Sequence, residues 1–166
     1  MSDTVDIVIE VDAWAGADLQ AKAQQALDHI KSDQDMTTDL ELSVLACDDA
    51  RIAELNTEFR GKAVPTNVLS WPSVQIAIGE EGVPNFNAPA DGHLGDVAIS
   101  YDTCMREAEA QGKEFTDHVT HLLLHAILHL FGYDHETDAQ AHVMESLETR
   151  LLAKMGIDDP YYLSDA

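Results

Sequence analysis

Four histidines stand within the fifteen residues HLLLHAILHLFGYDH, 121–135, a stretch that is otherwise rich in leucine. Successive residues of an α-helix advance by about 100°, so His125 and His129 fall on one face, one turn apart. Two imidazoles at this separation can bind one metal ion. Gly132 favours the left-handed backbone that ends a helix, and the chain can then turn and bring His135 back as a third ligand.

Three histidines and one open coordination position are typical of a catalytic zinc site rather than of a closed structural one. The open position would hold a water whose pKa the metal lowers toward neutrality. His125, His129 and His135 are therefore the predicted ligands of one Zn²⁺ ion. His118 and His121 share the helix face but lie at the wrong distance from the glycine turn, so we expect His121 in the core or behind the ligands. The remaining histidines are expected to take no part in the site: His29, His93 and His142.

The spacing of these histidines resembles the HExxHxxGxxH pattern of zinc proteases, with one difference. The second position here is Ala126, whereas those enzymes have a glutamate that acts as general base on the metal-bound water. Peptide hydrolysis by that route therefore lacks its proton acceptor. A metallohydrolase acting on another substrate stays open as an alternative.

The chain is strongly acidic, with 31 acidic and 9 basic residues and a net charge of −22. This charge argues against nucleic-acid binding through a broad basic face, and it disfavours adsorption to anionic membranes. Two segments contain no Asp or Glu: 59–79, which carries Arg60 and Lys62, and 118–133. These are the parts of the chain that an anionic substrate can approach.

A length of 166 residues suits one domain, 1–166, with a core of its own. Cys47 and Cys104 form no CxxC pattern, and the N-terminus has no signal-peptide pattern, so we expect a cytoplasmic protein. The Gly-, Pro- and Asn-rich segment 79–92 is predicted to be a flexible surface loop.

Periodicity and turn residues indicate one sheet with helices packed on it. A capping box at Thr137 and Gln140 marks the start of the last helix. Residues 60–73 are predicted to form an irregular loop that leads into a short strand. Strands are predicted at 5–11, 40–47, around 68–71 and at 93–100, and helices at about 18–31, 48–59, 102–111, 115–131 and 138–155.

Three separate stretches resemble motifs of the YbeY family of bacterial endoribonucleases. HAILHLFGYDH resembles the family signature HGxLHLxGYDH, with Ala126 in place of glycine. LNTEFRGKAVPTNVLSWP, 55–72, resembles LNxxYRxxxxPTDVLSFP, with Asn67 and Trp71 where Asp and Phe are common. HLGDVAIS, 93–100, matches LGDIxIS. The order and the separations agree over nearly the whole chain.

The resemblance implies an α+β fold, with a mixed sheet of about four strands and a zinc site on the helix-turn. It also implies cleavage of single-stranded RNA, maturation of the 16S rRNA 3′ end, and ribosome quality control. The metal ligands it implies are the same three histidines, and the family's functionally important arginine matches Arg60. Arg60 and His125 are thus the candidate catalytic residues. The candidate substrate-binding residues are Arg60, Lys62, Asn67 and Ser70.

The chemistry of these residues is consistent with those roles, although alternatives remain. The planar guanidinium of Arg60 can bind a phosphate and offset charge that builds on phosphorus, but taken alone this residue could equally form a structural ion pair. Asp134 is expected to shape the turn. The partners implied are single-stranded or ribosomal RNA and the ribosome or small-subunit proteins, without DNA or membrane. Because the chain is so acidic, we expect weak, salt-sensitive binding of free RNA; a metal-binding assembly factor without nuclease activity is the non-enzymatic alternative.

Overall fold

The computed structural model describes residues 3–161. The helices and strands follow the predicted order, with one additional short 3-10 turn at Asp12–Trp14. No helix among the described residues is long and apolar enough to span a bilayer. The strands are β1 (Thr4–Ile9), β2 (Glu41–Cys47), β3 (Val68–Pro72) and β4 (His93–Ser100), and the helices are α1 (Leu19–Asp33), α2 (Asp49–Arg60), α3 (Tyr101–Gln111), α4 (Phe115–Leu130) and α5 (Asp138–Lys154).

The four strands form one mixed sheet in the order β1-β2-β4-β3. β1 pairs with β2 and β2 pairs with β4 in parallel, whereas β3 pairs with β4 in antiparallel orientation at the edge. Helices connect the parallel strands, as a parallel crossover requires. The predicted α+β class and the mixed sheet of four strands are confirmed.

The ends of some elements differ from the prediction. β1 ends at Ile9 rather than at Val11, because Val11 is the residue that caps the 3-10 turn. Arg60 is the last residue of α2, not the first of a loop, and Gly61 ends the helix with a φ of 70°. Hydrogen bonding favours these bounds, since the backbone N–H of Gly61 still donates within the helical pattern.

The two faces of the sheet are covered unequally. Leu42, Val44 and Ala46 of β2 point into the larger core, which lies on one face of the sheet only. Leu45 and Cys47 alternate to the opposite face and contact the smaller cluster under α2. The larger core encloses α4, whose buried apolar residues are Val119, Leu122, Leu123, Leu124, Ala126, Ile127, Leu128 and Leu130. Helix α4 is therefore a rigid, enclosed support for the histidines that it carries.

The segment 79–92 has no helix or strand of its own, but several contacts join it to the rest of the chain. Ile78 and Pro84 form an isolated antiparallel bridge. The ring of Phe86 lies 4.6 Å from the ring of Phe131, at the end of α4. The loop thus packs beside the histidine turn, while its flexibility stays a prediction.

Candidate functional site

Three histidine rings converge where α4 ends. His125 and His129 lie one turn apart, and their Nε2 atoms are 3.1 Å from each other. Beyond the helix, the chain reverses and brings the His135 ring to 5.1 Å from that of His129 and 5.6 Å from that of His125, measured between centroids. One ring nitrogen from each histidine lies within 4.8 Å of the others. The three residues that the spacing singles out thus form one group.

This group has the chemistry of a metal site. Two nitrogens bound to one tetrahedral zinc at ~2.0–2.1 Å would be separated by about 3.3 Å, close to the separation of the His125 and His129 Nε2 atoms. Burial lowers the pKa of His129 to about 4, and the neighbouring His125 and His135 act in the same direction. His129 is therefore neutral at pH 7 and has a lone pair to offer. Imidazole nitrogens are ligands that suit zinc and related borderline metals.

The reversal of the chain depends on Gly132. Its φ is +101°, a conformation that other residues adopt only with strain. A Cβ at this position would also come within 2.8 Å of the Ile76 Cγ2 atom and 2.9 Å of the Pro84 Cβ atom. The backbone N–H of His135 donates to the Asp134 side chain at 2.8 Å, so Asp134 shapes the turn from within. Glycine is thus required both for the turn and for its packing against the neighbouring loop.

A buried glutamate that sequence reasoning missed lies behind the ligands. Glu148, on α5, has an exposed fraction of 0%. Its Oε1 atom lies 2.7 Å from His125 Nδ1 and 3.2 Å from His121 Nε2, and its Oε2 accepts a hydrogen bond from the Tyr161 hydroxyl at 2.7 Å. Burial raises the pKa of Glu148, but the hydrogen bonds from His121 and His125 outweigh it and bring the pKa to about 2. The carboxylate is therefore ionised, and His121 contacts it while also lining the cavity into which the candidate ligands open.

A sequence signal for Glu148 existed. The apolar stripe of α5 contains Met144, Leu147 and Leu151, and Glu148 lies four residues after the first of these and three before the last. It therefore occupies the buried face of the helix, where an unpaired carboxylate would be costly. An acidic residue at such a position indicates a partner in the core.

The histidines open into a cavity of about 990 Å³. Most of its lining comes from the two segments without acid, 59–79 and 118–133, which lie far apart in sequence. Arg60, Asn67 and Ser70 line this cavity together with the three candidate ligands, whereas Lys62 is exposed and is not among the described lining residues. Tyr161, which the sequence did not single out, also lines it.

The polar side chains of the cavity differ in how far they are already engaged. Asn67 donates to the Glu107 carboxylate at 3.1 Å and accepts from the Val68 backbone at 2.7 Å. Arg60 is exposed, and no carboxylate among residues 3–161 forms an ion pair with it. Its structural ion-pair alternative thus has no partner in this part of the chain. The roles of these side chains in binding substrate remain predictions.

Comparison with known proteins connects this geometry to one family. The family model described as endoribonuclease YbeY matches residues 8–156. The endoribonuclease YbeY of Paracoccus denitrificans is 55% identical over 95% of this chain and 89% of its own length. That of Cereibacter sphaeroides is 51% identical over 97% of this chain and all of its own length.

A solved structure has the same fold at low sequence identity. The solution structure of a Thermotoga maritima protein matches with a TM-score of 0.57 and 22% identity, covering 96% of this chain and 100% of that one. The family match and the relatives extend over nearly the whole chain, and the family match includes all three histidines, Arg60 and Glu148 within its span. The chain therefore belongs to the endoribonuclease YbeY family.

Proposed function

We propose that this protein is a metal-dependent endoribonuclease that cleaves single-stranded RNA with one Zn²⁺ ion held by His125, His129 and His135. The observation that carries the proposal is the meeting of these three side chains with Arg60 in one cavity. Three imidazole ligands that leave a position open, beside a guanidinium that forms no ion pair within residues 3–161, suit attack on a phosphodiester. Membership of an endoribonuclease family supports the same reaction class.

We assign the catalytic roles to Arg60 and His125. A bound zinc ion would supply a Lewis acid and lower the pKa of a bound water. Arg60 presents a planar fork of N–H donors, which binds two phosphate oxygens and offsets negative charge as it develops. His125 provides a ligand whose ring orientation is fixed by its contact with the buried Glu148 carboxylate. Ala126 supplies no carboxylate, so the residue next to His125 cannot act as a general base.

Substrate contacts are proposed for the remaining polar side chains near Arg60. Ser70 and Asn67 line the wall of the cavity formed by β3 and the chain before it, where they can hydrogen-bond a nucleotide. Lys62 follows Arg60 by two residues and is exposed, so we assign it to the approach of the RNA backbone rather than to the cavity.

The physiological substrate that we propose is the 3′ end of 16S rRNA, with a further role in ribosome quality control in the cytoplasm. A chain with a net charge of −22 repels free polyanions at long range. Asp134 and Glu136 line the same cavity as Arg60, so the cavity itself also carries negative charge. We therefore propose that the ribosome or a small-subunit protein presents the RNA. Tight binding of naked RNA at physiological salt would contradict this part of the proposal.

The direct test is cleavage of an end-labelled single-stranded RNA by metal-loaded protein. We expect Arg60→Ala to slow cleavage by ~10²–10³-fold, the effect typical of removing one donor to transition-state charge. His129→Ala should abolish cleavage because a ligand is lost. Arg106→Ala is the matched control: Arg106 is an exposed arginine that pairs with Asp49 at 2.9 Å and lies outside the described cavity lining.

The outcomes separate the remaining alternatives. Cleavage that survives chelation and both substitutions contradicts the assigned site. If wild-type protein cuts no RNA, and His129→Ala still restores rRNA maturation to cells that lack the protein, the metal-binding assembly factor is the better description. Equal losses in Arg60→Ala and Arg106→Ala would indicate a general charge effect rather than a phosphate contact.

A further inference from the structure

The buried carboxylate behind the ligands has no role in the cleavage reaction proposed above. We propose that Glu148 is a positioning residue for the metal centre: it holds His125 as the tautomer with its proton on Nδ1, so that the Nε2 lone pair faces the metal. The inference rests on the metal site proposed above. According to this inference, metal binding also depends on Glu148, which lies on α5, and on Tyr161, which follows α5 and contacts Glu148.

The hydrogen bond between the two residues selects the tautomer. His125 Nδ1 lies 2.7 Å from Glu148 Oε1, and the His121 ring and the Tyr161 hydroxyl also converge on the two oxygens of this side chain, so the carboxylate is the acceptor and His125 Nδ1 the donor. An imidazole that binds a metal ion through one ring nitrogen carries its single N–H on the other, which makes Nε2 the atom that can bind metal. This Nε2 atom lies 3.1 Å from the Nε2 atom of His129, on the side where the ligands converge. The carboxylate thus fixes both the direction of the ring and the atom that can bind metal.

Glu148 is itself held by two further groups. His121 Nε2 lies 3.2 Å from the same oxygen that contacts His125, and the Tyr161 hydroxyl donates to the other oxygen at 2.7 Å. The glutamate side chain is completely buried. Because a buried charge is costly without partners, these contacts keep the carboxylate in one orientation. Tyr161, which follows α5 in sequence, therefore acts on the metal site through Glu148.

The same side chains could in principle bind a second ion, since His121, His125 and Glu148 also form a compact group. The distance between His125 and Glu148 favours a hydrogen bond instead. The Nδ1–Oε1 separation of 2.7 Å is a charge-assisted hydrogen bond length, shorter than the ~3.3 Å expected between two atoms bound to one tetrahedral zinc. Carboxylates that accept the second N–H of a ligating histidine are a recurrent way to orient the ring and raise its basicity.

A matched control exists on the same helix. His118 Nε2 lies 2.9 Å from Glu107 Oε1, a histidine–carboxylate contact of nearly the same length. His118 is outside the described cavity lining and outside the group of three ligands. Removing the charge of Glu107 therefore changes the same type of contact without acting on a proposed metal ligand.

The first experiment reads the tautomer in the wild-type protein. Long-range ¹H–¹⁵N NMR of the metal-free protein should show the His125 proton on Nδ1. A proton on Nε2 would overturn the proposal, and this measurement needs neither a variant nor nuclease activity. It therefore separates a failure of this inference from a failure of the proposed function.

The second experiment measures zinc affinity by chelator competition in Glu148→Gln, Tyr161→Phe and Glu107→Gln. Loss of an outer partner of this kind weakens metal binding by ~10–100-fold, and we expect this for Glu148→Gln. Tyr161→Phe should weaken binding less, and Glu107→Gln should leave it unchanged. Wild-type affinity in Glu148→Gln, equal losses in the two glutamine variants, or two zinc ions per wild-type chain would overturn the proposal. Should Glu148→Gln not fold, Tyr161→Phe and the wild-type tautomer still decide.

Discussion

The two halves of α4 carry the same residue on the same stripe but use it differently. His118, in the first half, has a side chain that is 4% exposed and contacts Glu107. In the last turns, His125 and His129 are partly exposed, their Nε2 atoms lie close together, and one ring nitrogen of each is within 4.8 Å of a ring nitrogen of His135. The spacing that places all of them on one face is therefore not what separates a ligand from a core histidine.

The difference lies in which ring nitrogen remains free and where it points. His118 uses Nε2 for Glu107, and its Nδ1 atom is buried without a hydrogen-bond partner among the described residues. His125 uses Nδ1 for Glu148, which leaves Nε2 on the cavity side. The last turns also lead into Gly132, which returns the chain with a third histidine. In this helix, the histidines proposed as ligands are therefore distinguished by a carboxylate behind His125 and by a turn beyond His129, in addition to their i, i+4 spacing.

The largest expected effect is the difference between two separate variants, each of which lacks one histidine from one half of α4. His129→Ala should weaken zinc binding by more than ~100-fold, because even partners that do not touch the metal contribute ~10–100-fold. His118→Ala should leave zinc affinity unchanged but lower the free energy of unfolding by ~1–3 kcal/mol, since a buried hydrogen bond is lost. Chelator competition and urea unfolding of the metal-free proteins measure the two effects. Similar zinc affinities in the two variants would remove the distinction.

An intermediate effect is expected from the turn at Gly132, which follows the second half of α4. Gly132→Ala places a Cβ against Ile76 and Pro84 at a φ of +101°, so we expect a loss of ~1–3 kcal/mol in unfolding free energy and weaker zinc binding. Gly112 provides the matched control, because it ends α3 at a φ of +64° and, within residues 3–161, no atom from another part of the chain lies within 4 Å of the place that a Cβ would take. Gly112→Ala should cost ~1 kcal/mol and leave zinc affinity unchanged. Equal effects on zinc affinity would show that the turn does not position His135.

The smallest effect concerns protonation in the first half. Burial lowers the pKa of His118 below its ordinary value of 6.5, although the contact with Glu107 opposes the shift. Below pH 6.5, His118 binds a proton more readily in the unfolded chain than in the folded one. His118 therefore makes the free energy of unfolding fall as the pH falls below 6.5, and it has no such effect above pH 6.5. His118→Gln cannot titrate. Between about pH 7 and about pH 5, the unfolding free energy of the wild type should fall more steeply than that of the variant; parallel curves would contradict the shift.

The grouping of the three histidines could be predicted because the proposed ligands are local in sequence. Helical periodicity relates His125 to His129, and glycine chemistry relates both to His135, without knowledge of the rest of the fold. The sheet was predictable in number of strands because alternation and turn residues mark each strand. The end of β1 was not, because alternation continues to Val11 while the turn that begins there depends on the packing of Trp14.

The parts that depend on tertiary packing were harder to predict. Glu148 lies 23 residues from His125, and no local pattern relates a residue of α5 to a ring on α4. Asn67 shows a different difficulty. Its sequence context predicts a contact with a nucleotide, but its side chain already donates to Glu107, 40 residues away in sequence. In both cases the partner follows from how helices pack on the sheet, which the sequence pattern of a single element does not contain.

The closeness of the three ligands in sequence has a consequence for folding. They span only the eleven residues 125–135, whereas Arg60 and Glu148 arrive from distant elements. Closing so short a segment costs little chain entropy, so we expect an unfolded chain to keep part of its capacity to chelate metal. Metal bound to the unfolded chain offsets part of the stabilisation that binding gives to the native state. Zinc should therefore raise the melting temperature by less than its native-state affinity implies, and it can engage the chain before the sheet has formed.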